Sequence, residues 1–353
     1  MELNEGPKVF VKRLQDQKKL PDDFYLCNPN NASVEQSKKL KAEGKIIIAR
    51  LDGARPYKFT LMEILGFLKT INKFPEHIPL HDRKSIELNK QFTKFLNRYL
   101  DRNSLWLHKN ADGIIFQSHF SKQMHEFFLQ YDDKKTSEVI LNGIDLSRFY
   151  PSGKSTSENF PNVIISASIF RPHKRLSDSI DLINRLSKNY PKIKLHILGN
   201  LNKFVKEEIR NKDLKYCKFY GQKKVNELPD IYRKVDFQMS LSLFDPCPNV
   251  VVEGLASGLP VVTCQESGSF QLIDYEDSWS VKEEIDLQYL EFHRPNRIPK
   301  INFAKYEEKI LKLLENIQIN KEKARYIAEK NLDIKKISDK YLSFFEKIKK
   351  FNS

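Results

Sequence analysis

The chain alternates between two hydrophobic periods. Short, nearly continuous apolar runs at residues 24–27, 45–51, 112–116 and 138–141 predict strands buried on both faces, and those at 163–168, 193–198, 215–221, 237–241 and 261–262 predict more of the same kind. Between them, apolar residues recurring every three or four positions predict helices over 9–20 and 84–107, from Ser177, over 225–234 and around 250–256, with Ser121 at a further helix cap. Strands and helices in alternation imply parallel sheets of the α/β class. A polar stretch at 152–161 reads as a linker between an N-terminal domain, 1–151, and a second domain, 162–333. From 334 to 353, Ile334, Ile337, Tyr341, Phe344, Phe345 and Ile348 mark an amphipathic last helix.

Composition narrows the class. A length of 353 residues with 40% hydrophobic content suits about two domains, each able to bury a core. No apolar run approaches the roughly 18 residues that span a bilayer, and the first residues resemble no signal peptide, so a cytoplasmic location is expected. Cys27, Cys217, Cys247 and Cys264 form no C-x-x-C pair and read as reduced core residues; His77 and His81 are separated by Pro79 and make no ligand pair, so no metal is expected. The net charge of +14 admits nucleic acid, anionic membrane or phosphorylated substrate as partners. Its lysines are interleaved with acidic residues and no nucleic-acid-binding signature is present. A solvated basic surface is therefore expected, with weak peripheral attraction to anionic lipid as the alternative.

Candidate chemistry concentrates at 242–263. Val250, Val251, Val252, Leu255 and Ala256 suit a buried helix, and Gly258 with Pro260 ends it before a strand at Val261 and Val262. Amide groups of Asn249 and Val250, just after Pro248, then face outward where the helix dipole favours an anion such as diphosphate; Asn249 is also a candidate cap. Asp245 and Glu253, with seven residues between them, are placed to accept hydrogen bonds from sugar or ribose hydroxyls in one cavity. Two further loops follow strands, where ligands of open α/β sheets bind. One carries Arg171 and Lys174, cations able to neutralise a diphosphate. The other carries Arg50, Asp52 and Arg55, with Asp52 either a site carboxylate or a turn residue before Gly53. Ser118 reads as a strand-end hydroxyl, with a serine near the domain cleft as the alternative.

The stretch from Asp245 to Val262 resembles the signature of the retaining GT-B glycosyltransferases of family 4, in which two acidic residues with seven between them precede a small-residue helix and a Gly-x-Pro-Val-Val strand. Asn142-Gly143-Ile144-Asp145 resembles the segment closing that family's first domain, and Lys174 its donor-phosphate lysine. Two positions depart: Asp245 replaces the usual Glu, and Ile169 stands where an Arg is expected, leaving Arg171 to take its role. The resemblance implies two Rossmann-like domains facing a cleft, with the last helix crossing back to the first. It implies transfer of a sugar, with retention, from a nucleotide-diphosphate sugar to a hydroxyl of a glycan or lipid-linked acceptor, without metal or other cofactor. Asp245 would hold the sugar, the amides after Pro248 the diphosphate and Glu253 the ribose; Gly199 and Gly221 would end strands framing the base, and Asp52 would lie near the acceptor. A GT-B epimerase or phosphorylase, or an inactive nucleotide-sugar or nucleic-acid binder, are the competing readings.

Overall fold

The computed structural model describes residues 21–29, 31–54, 101–132, 135–152, 161–287 and 298–352. The helix expected at 9–20, most of that at 84–107, Arg55, His77, His81 and linker residues 153–160 lie outside them.

The described chain builds two parallel sheets. In the first, β1 (Phe24–Cys27), α1 (Asn31–Ala42), β2 (Ile46–Leu51), α2 (Arg102–Asn110), β3 (Gly113–Phe116), α3 (His119–Leu129) and β4 (Ser137–Val139) follow in order, with strands side by side as β1-β2-β3-β4. Their apolar residues, Ile47, Ile48, Ala49, Ile114, Ile115 and Phe116 among them, are fully buried, as the unbroken runs require. The serine that caps α3 is Ser118, not Ser121: its Oγ accepts from the Ser121 amide at 2.9 Å. Extended backbone at Ser118 leaves its hydroxyl free to turn back onto the first turn. Strand β4 stops at Val139, two residues before the expected end, although the Ile140 amide still donates to the Phe116 carbonyl at 2.9 Å.

The second sheet takes β5 (Asn162–Phe170), α4 (Leu176–Leu186), β6 (Lys194–Leu201), α5 (Lys203–Ile209), β7 (Cys217–Gly221), α6 (Leu228–Tyr232), β8 (Phe237–Ser240), α7 (Asn249–Ala256), β9 (Val261–Cys264), α8 (Ser269–Leu272) and β10 (Ser280–Val281). Its order is β10-β9-β8-β5-β6-β7, so the chain reverses direction across the sheet between β5 and β8. Those two strands pair only at Val163↔Phe237 and Ile164↔Gln238 and then part, opening a crevice at their carboxyl ends. Strand β6 does not end at Gly199 but runs through it to Leu201. Gly199 is needed because its φ is +133° and a Cβ there would lie 1.8 Å from the Ala167 carbonyl, where β5 loses register between Ser166 and Ile169. Helix α6 is shorter than expected, running only from Leu228 to Tyr232 with Pro229 in its first turn.

Helix α7 lies closer to the sheet than an ordinary side chain allows. A Cβ on Gly254 would sit 1.8 Å from Gln238 Oε1 of β8. The wholly buried Gln238 uses its Nε2 to bond the Val250 carbonyl at 3.1 Å, which fixes the first turn of α7. Gly258, at φ +75°, ends the helix, and the Leu259 amide returns to the Gly254 carbonyl at 2.9 Å.

Helices α9 (Phe303–Glu315) and α10 (Ile317–Asn331) lead to α11 (Ile334–Asn352), which lies on the first sheet. Its Ile334, Ile337, Tyr341, Phe344, Phe345 and Ile348 pack with Ile48, Ile115 and Ile140. Burying each large apolar side chain contributes about 1.5–3 kcal/mol. The crossing is stitched by backbone bonds from Ile144 N to Leu332 O at 2.9 Å and from Ile334 N to Ile144 O at 3.0 Å. The four cysteines are free, with Cys27, Cys247 and Cys264 buried. Among the described residues no helix is long and apolar enough to cross a membrane.

The contact between Gly254 and Gln238 makes a stability prediction. Gly254→Ala should destabilise the fold by about 1–3 kcal/mol through overpacking. In a Gln238→Ala background the same change should cost measurably less, because the clashing amide is gone. Denaturant midpoints of the four proteins test this, and equal losses in both backgrounds would show that α7 does not press on Gln238.

Candidate active site

Where the strands of both sheets end, a cavity of about 460 Å³ opens between them. Asp52, Arg171, Lys174, Asp245, Gly199, Pro248, Asn249, Val250 and Glu253 all line it. Gly221 does not: it ends β7 at φ +64°, and the next residues, Gln222 and Lys223, reach the cavity instead.

From the first sheet, β2 delivers Arg50 and Asp52. The backbone of Asp52 is held by α3, whose Ser121 Oγ and His125 Nε2 donate to its carbonyl at 2.8 and 2.7 Å. Its carboxylate is 3.4 Å from Arg50 Nη1. Burial pushes the Asp52 carboxyl up, Arg50 opposes the shift and Asp245, across the cavity, adds to it. Asp52 therefore stands just past the end of β2 as a carboxylate facing the cavity.

Behind it lies a pair that the sequence does not reveal. His108 Nε2 and His125 Nδ1 are 2.9 Å apart, on helices 17 residues apart in the chain, with no spacing signal to join them. Since His125 Nε2 donates to a carbonyl, its Nδ1 accepts the proton of His108. Burial holds His125 down at about 3 and His108 at about 4, so both are neutral near pH 7.

From the second sheet, β5 ends at Phe170 and a tight 3-10 turn, Pro172–Lys174, follows. The turn closes by bonds from Lys174 N to Arg171 O and from Arg175 N to Pro172 O, both 2.9 Å. It leaves Arg171 exposed at the cavity and aims Lys174 Nζ at Asp245 Oδ2, with which it pairs. His173 in the same turn is held near 3, chiefly by burial and then by Lys174, with Asp245 pulling the other way and Arg171 adding to the drop. Ile169, where a cation is expected, is 43% exposed and lines the cavity as an apolar surface.

Asp245 follows Phe244, which sits at φ +59°. The loop is held by a bond from Gly268 N to Asp245 O at 2.7 Å, and a Cβ on Gly268 would lie 1.7 Å from the Pro246 carbonyl. The hydroxyl of Ser118, at the head of α3, donates to that Pro246 carbonyl. Helix α7 then begins with Pro248 as its N-cap and no side-chain cap. Asn249 is the first helical residue rather than the cap, because its Oδ1 is engaged by Asn142 Nδ2 at 3.1 Å. Further along α7, Glu253 is 6% exposed and its Oε2 lies 3.3 Å from the Tyr232 hydroxyl, itself 2.8 Å from Ser166 Oγ. Ser166 and Tyr232 were not legible as site residues, since neither stands in a motif.

A positive helix end, a Lys–Asp pair and a buried carboxylate within one cavity can hold a ligand with an anionic centre flanked by hydroxyl groups. Comparison with known proteins points the same way. Residues 152–288 match the family of glycosyl transferases group 1. An uncharacterised glycosyltransferase of Methanocaldococcus jannaschii is 23% identical over 321 residues, 91% of this chain and 79% of that one. Mannosylfructose-phosphate synthase of Agrobacterium fabrum is 26% identical over 160 residues, 40% of this chain and 35% of that protein. Among solved structures, Anabaena HepE in complex with UDP-glucose superposes with a TM-score of 0.60 at 15% identity, covering 97% of this chain and 81% of that one. Sucrose-phosphate synthase of Thermosynechococcus elongatus gives 0.60 at 14% identity, covering 97% and 77%. The fold is thus the two-sheet α/β fold of GT-B glycosyltransferases, and the match over 152–288 together with the relatives supports a hexosyltransferase.

The buried histidines set the response to acid. In the unfolded chain their rings take up protons near 6.5, whereas His125 and His173 folded do so near 3 and His108 near 4. Their contribution is therefore complete above about pH 6.5 and is lost as pH falls toward 4 and below. Thermal midpoints should decline over that window, and His125→Gln should flatten the decline. A pH-independent midpoint between 7 and 4.5 would contradict the neutral pair.

Proposed function

We propose that the cavity binds a nucleotide-diphosphate sugar and that the enzyme moves the sugar to a hydroxyl of a glycan or lipid-linked acceptor with retention of configuration. The observation that carries this reading is the pairing of Lys174 with Asp245 beside the start of α7, in the cavity that also holds Glu253. Without ligand, Lys174 and Asp245 satisfy each other. A donor would separate them: its diphosphate takes Lys174, Arg171 and the amides at the head of α7, while hydroxyls of its sugar donate to Asp245. Glu253 accepts from the ribose, and the loops at Gly199, Gln222 and Lys223 surround the base. As the sugar leaves, negative charge grows on the diphosphate, and fixed cations and helix amides stabilise that charge most where water is excluded. Asp52, on the opposite wall, accepts from the incoming hydroxyl. HepE, described in complex with UDP, UDP-glucose and with UDP and glucose, supports a uridine nucleotide and a sugar acceptor. Retention follows from the family 4 resemblance. A lipid-linked acceptor would bring the enzyme to the cytoplasmic face of an anionic membrane, which a net charge of +14 favours.

Calorimetry with UDP-glucose, and with the guanosine and adenosine analogues if it fails, tests the donor site. Glu253→Gln should weaken the best of these by about 1–3 kcal/mol, because an ionised acceptor of ribose hydroxyls becomes a neutral one. Unchanged affinity would remove Glu253 from the donor site.

The division of charge predicts the response to chelation. If Arg171, Lys174 and the amides of α7 supply the positive field, sugar transfer should persist in excess EDTA. Complete loss restored by manganese or magnesium would mean that a divalent ion performs that work.

A further inference from the structure

Two residues flanking the Lys174–Asp245 pair hold left-handed backbone that side-chain-bearing residues rarely adopt: Arg175 at φ +54° and Phe244 at φ +59°. Such backbone persists only where the surroundings enforce it. For Arg175 the enforcing contact is its own side chain, 2% exposed. Its Nη1 and Nη2 donate to Glu283 Oε1 and Oε2 at 2.5 and 2.7 Å, and Nη2 also to the Pro299 carbonyl at 2.9 Å. The planar fork of arginine suits this bidentate geometry, which lysine cannot reproduce. Glu283, 5% exposed along its side chain, also accepts from the Tyr306 hydroxyl at 2.6 Å. Its own amide donates to Glu266 Oε1 at 2.9 Å, and the carbonyl of that same Glu266 accepts from the Phe244 amide at 2.9 Å.

We infer that Glu283 is a positioning residue for the donor site: through Arg175 on one side and Glu266 on the other, it sets the spacing between Lys174 and Asp245. The inference rests on the reading of Lys174 as a diphosphate ligand. Neither Glu283 nor Arg175 lines the cavity, so Glu283 acts only through the turn at 171–174 and the loop at 244–245. The frame matters because a lysine Nζ at the end of a long stem is directed by the backbone below it, and a displaced charge stabilises a leaving diphosphate less. A turn held by a buried, bidentate pair keeps its direction when Asp245 releases the lysine to a donor. Sequence spacing gives no hint of this frame, since Arg175 and Glu283 are 108 residues apart.

The test compares binding of a nucleoside diphosphate with that of its parent nucleoside, using whichever of UDP, GDP and ADP raises the melting temperature most. Glu283→Gln keeps the shape and loses the charge. It should weaken the diphosphate about tenfold and the nucleoside by less than about twofold. Lys174→Ala should show the same selectivity, which a loss of general stability would not produce. If Glu283→Gln does not fold, Tyr306→Phe, which removes one bond to Glu283, decides: it should weaken the diphosphate selectively by about threefold. Selective loss in Lys174→Ala with equal or no losses in the Glu283 and Tyr306 variants overturns the positioning role and leaves the donor site standing. No selectivity in Lys174→Ala overturns the donor-phosphate reading, and the positioning role with it.

Discussion

The interdomain geometry depends on satisfying one buried charge. Arg50 is 1% exposed, and a guanidinium cannot shed its proton, so its donors must find acceptors or destabilise the fold by several kcal/mol. Among the described residues, acceptors come from three parts of the chain. Asp52 lies two residues on, Asn142 Oδ1 stands beyond β4, and the Tyr341 hydroxyl, 3.2 Å from Nε, comes from the last helix. Asn142 then turns its own amide to Asn249 Oδ1 and to the Cys247 carbonyl at 3.3 Å, both in the second sheet's loops. One charge thus requires the last helix to cross back and the head of α7 to meet the first sheet. This gives a physical sense to the Asn142-Gly143 segment that follows the first sheet. Gly143 completes it, since a Cβ there would meet Ile334 of α11 at 3.0 Å.

Around that contact the site is built by removing side chains as much as by placing them. Gly254 lets α7 approach Gln238, Gly199 lets β6 pass the Ala167 carbonyl and Gly268 lets the loop after β9 reach Pro246. Of the three, Gly199 itself stands in the wall of the cavity, while Gly254 and Gly268 set the position of the helix and loop behind it. Three of the charged side chains in that wall are well supported. Lys174 and Asp245 are 20% and 14% exposed, and Glu253 is backed by Tyr232 and Ser166. The overall charge of +14 has little part in this: most of the described lysines lie away from the cavity, several beside carboxylates.

Hydrophobic period alone determined most of the strands, because a strand buried on both faces must be apolar throughout. It also determined the face of α11, because six apolar residues at helical steps need a covering surface. Motif spacing brought out Asp245, Glu253 and Lys174, since a loop, a helix end and a strand end are local features. Tertiary structure alone decided what lies behind them. The shared proton of His108 and His125, the Asn142 link to Asn249, the Tyr232 contact with Glu253 and the Arg175–Glu283 pair each join residues distant in sequence. No local rule relates such partners: their distances follow from how strands order within a sheet and how two sheets meet, and burial then determines whether a polar group must be paired.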